Sequence, residues 1–271
     1  MQLLNEDSIR VWIVPHLSLN QRGPKPKQPL ERIMQAIFYK LKTGCQWRCL
    51  PLKAFFDGAL PCWQTVYHHF NKWANDGSLQ RAWTQLLKAN RHRLDLSSIQ
   101  LDGSHTLAKN GGQAVGYQKR KRAKTTNMLF VADSQGIPLA CSQPQAGEHN
   151  DLFNIRAVFN ELCRALQQAG LRLDGLFLNA DAGFDARSLR TACQQVHIEA
   201  NIRPNARRQP LTDRYEYFDE SLYEQRVVIE RTNAWLDGYK ALLVRFETKA
   251  SNWLALHWLA FCGLLIRHLK L

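Results

Sequence analysis

Three acidic residues stand at positions where a folded chain can bring them together. Asp102 lies near the end of a predicted strand, Asp181 directly follows the apolar run Leu176–Ala180, and Glu230 lies in a predicted helix. Strand ends meet at one edge of a sheet, and a helix packed across that edge can add a third carboxylate. Such a cluster is unfavourable unless cations neutralise it, and oxygen ligands favour Mg²⁺ or Mn²⁺ over zinc. Two such ions about 4 Å apart can activate a water or 3′-hydroxyl and stabilise the leaving oxygen of a phosphodiester.

Each of these acids also has an ordinary structural interpretation. Asp102 precedes Gly-Ser and resembles a turn residue, whereas Asp181 can cap the helix that follows it. A lone glutamate in a helix, such as Glu230, usually faces solvent. The residue pattern alone leaves the catalytic and the structural interpretations evenly balanced.

The elements that would position these acids change in character near residue 98. Before it, apolar residues at three- and four-residue steps predict helices at 30–41, 63–73 and 78–89, with a stop at Gly44. Three helices with short connections are typical of a small DNA-binding module. After it, the predicted strands are 98–104, 128–132, 137–142, 176–180 and 197–202, the middle pair joined by a turn at 133–136.

The helices that alternate with these strands complete the prediction. They are expected at 152–166, 186–196, 220–236 and 252–269, the first of them capped by Asn150-Asp151. This order predicts an α/β fold with a mixed sheet, preceded by an all-helical domain. We place the domains at residues 1–95 and 96–271.

Charge and composition indicate the partner. The 271 residues include 36 Lys and Arg against 23 Asp and Glu, a net charge of +13, which favours a polyanion. Seven cysteines without a zinc-binding pattern indicate free thiols. No apolar stretch is long enough to span a membrane and no leader is recognisable, so we expect a cytoplasmic protein with no membrane partner.

Several basic and polar residues are candidates for DNA contacts. Those expected to meet phosphates by charge are Lys119, Arg120, Lys121, Arg122, Lys124, Arg207 and Arg208. A solvated loop is the alternative for both basic segments. Those expected to reach base edges from the helix at 63–73 are Gln64, His68 and Lys72. His149 precedes a predicted helix, and we expect it to support a metal ligand or cap the helix rather than bind metal.

Five segments together resemble one family. They are Thr43–Arg48, Leu101–Ser104, Ala146–Asp151, Asn179–Asp185 and the helical segment Tyr223-x-x-Arg226-x-x-x-Glu230. In these segments the chain resembles the DDE transposases of bacterial insertion sequences, in the insertion-sequence-five family, over nearly its whole length. The spacing of the last segment is the most specific. Tyr223 and Glu230 are two helical turns apart, so we expect them to share one face of the helix, with Arg226 one turn from each.

The resemblance implies a fold and an activity. It implies a ribonuclease-H-like mixed sheet flanked by helices, preceded by a helix-turn-helix-like domain. Asp102, Asp181 and Glu230 would be the catalytic metal ligands, and Tyr223 and Arg226 would contact DNA. Asp237 stands where the wider group often carries a basic residue, so Lys240 is the candidate replacement.

The implied function is that of a transposase. It would bind the terminal inverted repeats of its element and use two Mg²⁺ or Mn²⁺ ions to cut DNA. It would then join the ends to target DNA, as a homodimer or higher oligomer. The alternatives are a host-retained, non-catalytic DNA-binding protein and a ribonuclease-H-like nuclease without strand transfer.

Overall fold

The computed structural model describes residues 4–19, 26–205 and 218–271. The chain forms two compact units that alternate along the sequence. We call Met1–Ala89, Ala108–Gln113 and Trp235–Leu271 the helical unit, and Asn90–Leu107 and Ala114–Ala234 the sheet unit. Among the described residues, no helix has the length and apolar character needed to cross a membrane.

The secondary structure contains ten labelled helices and eight strands within the described ranges. The helices are α1 (Glu6–Trp12), α2 (Leu30–Thr43), α3 (Trp63–Asn75), α4 (Ser78–Asn90), α5 (Ile155–Gln168), α6 (Arg187–Gln195), α7 (Glu220–Glu224), α8 (Val228–Asp237), α9 (Lys240–Leu243) and α10 (Ala250–Leu269). The strands are β1 (Ile99–Ala108), β2 (Gly116–Gln118), β3 (Ala123–Asp133), β4 (Pro138–Cys141), β5 (Gln145–Ala146), β6 (Phe177–Ala180), β7 (Glu199–Ile202) and β8 (Val244–Arg245).

The helical unit is built around α10. This helix is buried on all sides, and a helix that is apolar all round needs cover on every side. Helices α2 and α3 pack against it, and α2 ends as predicted at Gly44, which has a φ of 71° and donates its N–H to the Lys40 carbonyl. Because α10 joins the N-terminal helices, the compact units do not follow the predicted boundary at 95/96. The two functional domains stay a prediction.

The sheet unit has the predicted mixed sheet. Its strand order is β2-β3-β1-β6-β7, with β4 and β5 also paired to β3. Strand β1 is antiparallel to β3 and parallel to β6, which is parallel to β7. The predicted turn between β3 and β4 is present, with Gly136 at φ +87° and the Asp133 carboxylate accepting from the Gln135 and Ile137 amides. Helix α5 packs on β4 and α6, and α6 packs on β7.

Three local predictions about this unit are wrong. Strand β1 continues to Ala108 because its antiparallel pairing with β3 runs to Leu107, so Asp102 lies inside the strand rather than at its tip. Asn150 accepts from the Leu152 amide in a turn, and α5 begins only at Ile155. The predicted helix over 220–236 is interrupted by a 3-10 turn at Gln225–Val227.

Candidate active site

The sheet register brings Asp102 and Asp181 to the same level. Strands β1 and β6 pair in parallel at Ile99↔Leu178 and Gln100↔Asn179. Continuing that register by two residues sets Asp102 beside Asp181, just beyond the last paired residues. Adjacent strands lie about 4.8 Å apart, and residues in parallel register point to the same face. Two carboxylates therefore project from one edge of the paired region.

Helix α8 carries the polar side chains that face these aspartates. Two contacts fix the position of α8: Thr232 donates to the Gly136 carbonyl at 2.8 Å, and the side chain of Ile229 is fully buried. The Asn233 amide then donates to Asp102 Oδ2 at 3.3 Å. Glu230 lies one helical turn before Asn233 and is exposed to solvent.

Arg226 supplies a positive charge among the carboxylates. Its Nη2 atom lies 3.7 Å from Asp181 Oδ2, and its side chain is 19% exposed. The other oxygen of Asp181 accepts from the Gly183 amide at 2.7 Å. Asp181 thus caps the 3-10 turn that follows β6, as its structural interpretation predicts, and also keeps one oxygen directed toward Arg226.

Asp102 has a carboxyl group with a strongly raised pKa. Burial raises its pKa from 3.8 to about 6, and the charges of Glu230 and Asp181 act in the same direction. The Arg226 charge and the Gly103 amide oppose this rise. A carboxylate that interacts with two others and one guanidinium belongs to a single electrostatic cluster.

The donor chemistry of this cluster suits a hard divalent cation. Asp102, Asp181 and Glu230 offer carboxylate oxygens, the ligands that Mg²⁺ and Mn²⁺ prefer, and Arg226 already places a cation among them. Over residues 4–19, 26–205 and 218–271, no three His, Cys, Asp or Glu side chains lie close enough together to hold a metal ion. Within these ranges, the three carboxylates thus have the oxygen ligands that such a cation prefers but are not gathered around one point.

Two family models match the chain, and one of them covers the carboxylate cluster. The DDE superfamily endonuclease model matches residues 94–265, which include all three carboxylates. The chain belongs to this family. Residues 11–83 match the model of IS4/5 family transposases (DUF4096), so both parts of the chain identify a DDE transposase of the IS4/5 type. The resemblance found from the sequence motifs is confirmed.

The fold of this chain is similar to that of a solved transposase structure. The piggyBac transposase in its synaptic complex with hairpin DNA is 11% identical, with a TM-score of 0.51 over 98% of this chain and 72% of that one. The Mos1 transposase paired-end complex with its left transposon end is 14% identical, with a TM-score of 0.30 over 90% and 82%. The first likeness confirms the predicted ribonuclease-H-like fold. No curated protein has a significant match to the chain.

The remaining motif residues of this transposase take varied positions. Tyr223 packs against Phe218 and lies under the Arg203 guanidinium, 5.7 Å from its ring centre. The 3-10 turn before α8 interrupts the single helix from which the alignment of Tyr223 with Glu230 was predicted. His149 stacks on Phe153 with ring centres 3.5 Å apart. The backbone of Lys240 lies against Gly44 in the helical unit.

The predicted DNA contacts are largely at the surface. Lys119–Arg122 form the turn between β2 and β3, and all four residues are exposed, as is Lys124. On α3, Gln64 and His68 are exposed, but Lys72 is half-buried and donates to the Ser18 carbonyl at 3.2 Å. Lys72 thus braces the helical unit, contrary to its expected outward position. Arg207 and Arg208 lie outside the described residues.

A buried amide ladder supports the site and was missed from the sequence. Asn201 donates to Asn179 Oδ1 at 2.8 Å and to the Asp219 carbonyl, while Asn179 donates to the Leu222 carbonyl at 2.9 Å. Asp219 then caps α7 by accepting from the Leu222 amide. The available signal was an asparagine inside each of two apolar strands. This ladder ties the start of α7 to the sheet edge that carries Asp181.

Proposed function

We propose that this transposase cuts the ends of its own element and joins them to target DNA, using Asp102, Asp181 and Glu230 as metal ligands. The observation that carries the proposal is the shared register of Asp102 and Asp181, opposite the face of α8 that holds Glu230 and Asn233. Membership of the DDE superfamily endonucleases supports the same assignment.

The carboxylates would hold two Mg²⁺ or Mn²⁺ ions. Such ions activate the attacking oxygen and neutralise the charge on the leaving oxygen of a phosphodiester. Asn233 orients Asp102 through its hydrogen bond, and the Gly183 amide orients Asp181. When Asp181 binds a metal ion, the Arg226 guanidinium would be available to bind a phosphate oxygen of the DNA.

The protein would assemble on two transposon ends as a homodimer or higher oligomer. The piggyBac transposase, which shares the fold, is seen in a synaptic complex with hairpin DNA. Terminal inverted repeats would be bound by α3, whose Gln64 and His68 are exposed. The basic turn Lys119–Arg122 would add contacts to the phosphate backbone.

Variants of two carboxylates test the catalytic assignment. Asp102→Asn and Glu230→Gln should each lower the rate of DNA cleavage by several orders of magnitude, because a metal ligand is lost. Binding to DNA that carries the element's ends should change by no more than a few-fold. Glu224→Gln, an exposed acid on α7, is the matched control and should cut at the wild-type rate. A Glu230→Gln protein with wild-type activity would overturn the assignment.

The reaction products separate the two alternative functions. Cleaved ends joined to target DNA support the transposase, whereas cleavage without joined products supports a nuclease that lacks strand transfer. A wild-type protein that binds the ends and never cuts them in Mg²⁺ or Mn²⁺ supports a non-catalytic DNA-binding protein. Gel analysis of end-labelled donor and target DNA distinguishes all three.

Two DNA-binding variants test the division of labour. Replacing Lys119, Arg120, Lys121 and Arg122 with serine should weaken binding to end and random DNA alike, and flatten the salt dependence by up to about four units. Gln64→Ala with His68→Ala should instead reduce the preference for end DNA, by about 1–3 kcal/mol for a lost base contact. Salt-titrated binding of both variants to both DNAs measures this. Loss of preference in the turn variant alone would place sequence recognition in the sheet unit.

A further inference from the structure

The helical unit contains a cavity whose lining includes none of the three carboxylates of the proposed reaction. It has a volume of about 680 Å³, and its lining includes Trp47, Trp63 and Phe246 together with Lys40 and Glu247. Ligand pockets generally have volumes of about 300–1,000 Å³ and combine aromatic walls with a few polar groups. The cavity has both the size and the lining of a ligand site.

A buried ion pair forms one end of this cavity. Lys40 Nζ lies 3.5 Å from Glu247 Oε1, with the two side chains 5% and 11% exposed, and Trp47 Nε1 donates to the same oxygen at 3.2 Å. The Lys40 ammonium also lies 5.6 Å from the centre of the Trp47 ring. Burying an ion pair is costly relative to apolar residues of similar volume. The contacts among Lys40, Glu247 and Trp47 hold two charged groups beside an aromatic ring.

The aromatic rings differ in how they are held. Trp47 is backed by Tyr67 and Phe70, with ring centres 5.3 and 4.9 Å away, so its position is rigid. Phe246 is 52% exposed, and Trp63 is half-buried. An exposed phenylalanine beside a cavity offers a flat apolar surface for stacking. The walls thus suit a planar ligand.

Positive charge is present in the cavity lining and near the lining residue Gly44. Arg48, which lines the cavity, is exposed, and exposed Lys240 lies with its backbone against the lining residue Gly44. Lys42 donates to the Gly238 carbonyl; burial lowers its pKa, and the charges of Arg267 and Lys240 lower it further. Lys42, Lys240 and Arg267 therefore repel one another, although none of them lines the cavity. Within the lining, the exposed guanidinium of Arg48 is the group that would attract an anionic ligand.

We propose that this cavity binds one unpaired nucleotide of the DNA substrate, with the base against Trp63 and Phe246 and the phosphate at Arg48. The inference rests on the proposed DNA-binding function and assigns a separate subsite to it. A planar base fits the aromatic walls, a phosphate fits the exposed Arg48, and Gln46 and Glu247 offer polar groups to a base edge. A base paired within a duplex is not accessible to such a pocket, so the site selects unpaired DNA.

Affinity for unpaired DNA tests the proposal with the full-length protein. The probes are a fluorescein-labelled eight-nucleotide single strand and a blunt duplex of the element's end. Phe246→Ala should weaken binding of the single strand by at least about fivefold, as expected for a lost base–aromatic contact, and leave duplex binding within about twofold. Arg48→Gln should weaken the single strand in the same direction. Phe246→Tyr, which keeps the ring, should bind as the wild type does.

Matched controls keep the outcome unambiguous. Leu60→Ala removes an apolar side chain that is 45% exposed and does not line the cavity, and Lys53→Gln removes an exposed charge outside it. Both should bind the single strand as the wild type does. The proposal is overturned if Phe246→Ala matches Leu60→Ala, or if it weakens duplex and single strand equally. Failure of the wild type to bind end duplex would instead overturn the proposed function.

Discussion

The segment after β6 contains two aspartates four residues apart, and each of them faces an arginine. Asp185 is fully buried, lies 3.0 Å from Arg190 Nε and accepts from the Asn205 amide at 2.8 Å. Asp181 is 43% exposed and lies 3.7 Å from Arg226. The first pair is closed by short hydrogen bonds, whereas the second is longer and open to solvent. The Asp185–Arg190 pair is therefore structural, whereas the Asp181–Arg226 pair leaves its carboxylate accessible to a ligand.

The surroundings of each pair explain the difference. Arg190 also donates to the carbonyls of Ala200 and Ile202, so the Asp185 pair ties α6 to β7 and to the loop that follows it. A buried carboxylate needs its hydrogen bonds satisfied, and here the chain satisfies them. Asp181 instead stands at the strand end, where a neighbouring aspartate in register increases the negative charge. An ion pair left partly open at that point favours exchange of the guanidinium for another cation.

The largest expected effect is a loss of DNA cleavage when the open pair is altered. Asp181→Asn should lower DNA cleavage by at least about a thousandfold, because the substitution removes a proposed metal ligand while the hydrogen bond from Gly183 can be kept. Its melting temperature should stay close to that of the wild type, since an exposed pair contributes little to stability. Initial cleavage rates and circular dichroism melts measure both. An Asp181→Asn protein that cuts normally would remove the distinction between the two pairs.

The next effect appears in stability and concerns the buried pair. Asp185→Ala should lower the free energy of unfolding by about 3–5 kcal/mol, because Arg190 is left buried without its carboxylate. Urea denaturation followed by tryptophan fluorescence measures the loss. Cleavage should fall only with the folded fraction. If Asp185→Ala abolished cleavage without lowering stability, Asp185 would act in the reaction rather than in the fold.

The position of Asp181 directly after a strand could be predicted from the sequence around it. The apolar run before Asp181 is short and ends in a turn, so its strand was recognisable, and β6 is found at Phe177–Ala180. Asp102 was placed at a strand tip because nothing near it shows that β3 pairs along β1 to Leu107. Pairing between distant segments fixed that strand end.

Other features depend on contacts that no local pattern encodes. The 3-10 turn at Gln225–Val227 contains neither proline nor glycine, so the periodic pattern predicted a single helix there. Asn179 and Asn201 form the ladder only because their strands are neighbours in register. The C-terminal helix was expected at 252–269 and is found at Ala250–Leu269, yet its packing against α2 and α3 could not be predicted from its own residues.

The smallest expected effect is a change in the pKa of Asp102 when a neighbouring charge is removed. Arg226→Gln should raise the pKa of Asp102 above its value of about 6, by roughly one unit or less, because the guanidinium charge opposes protonation of that carboxyl. Glu230→Gln should move it in the opposite direction, since it removes a negative charge that favours protonation. Carboxyl carbon chemical shifts, followed by NMR from pH 3 to 9 without added metal, measure both changes.

The same shifts determine how stability depends on pH. The pKa of Asp102 in the folded protein, about 6, exceeds the ordinary value of 3.8, so the folded state holds a proton that the unfolded state has released between those two pH values. The contribution of Asp102 to stability is therefore greatest below pH 3.8 and is lost as the pH rises through about 6. In Arg226→Gln the pKa of Asp102 is higher, so the loss of stability continues to a higher pH. In Glu230→Gln the pKa is lower, so the loss of stability is complete at a lower pH. Urea denaturation at pH 5 and pH 8 compares the three proteins, and shifts of the same sign in both variants would show that Asp102 does not share a charge cluster with them.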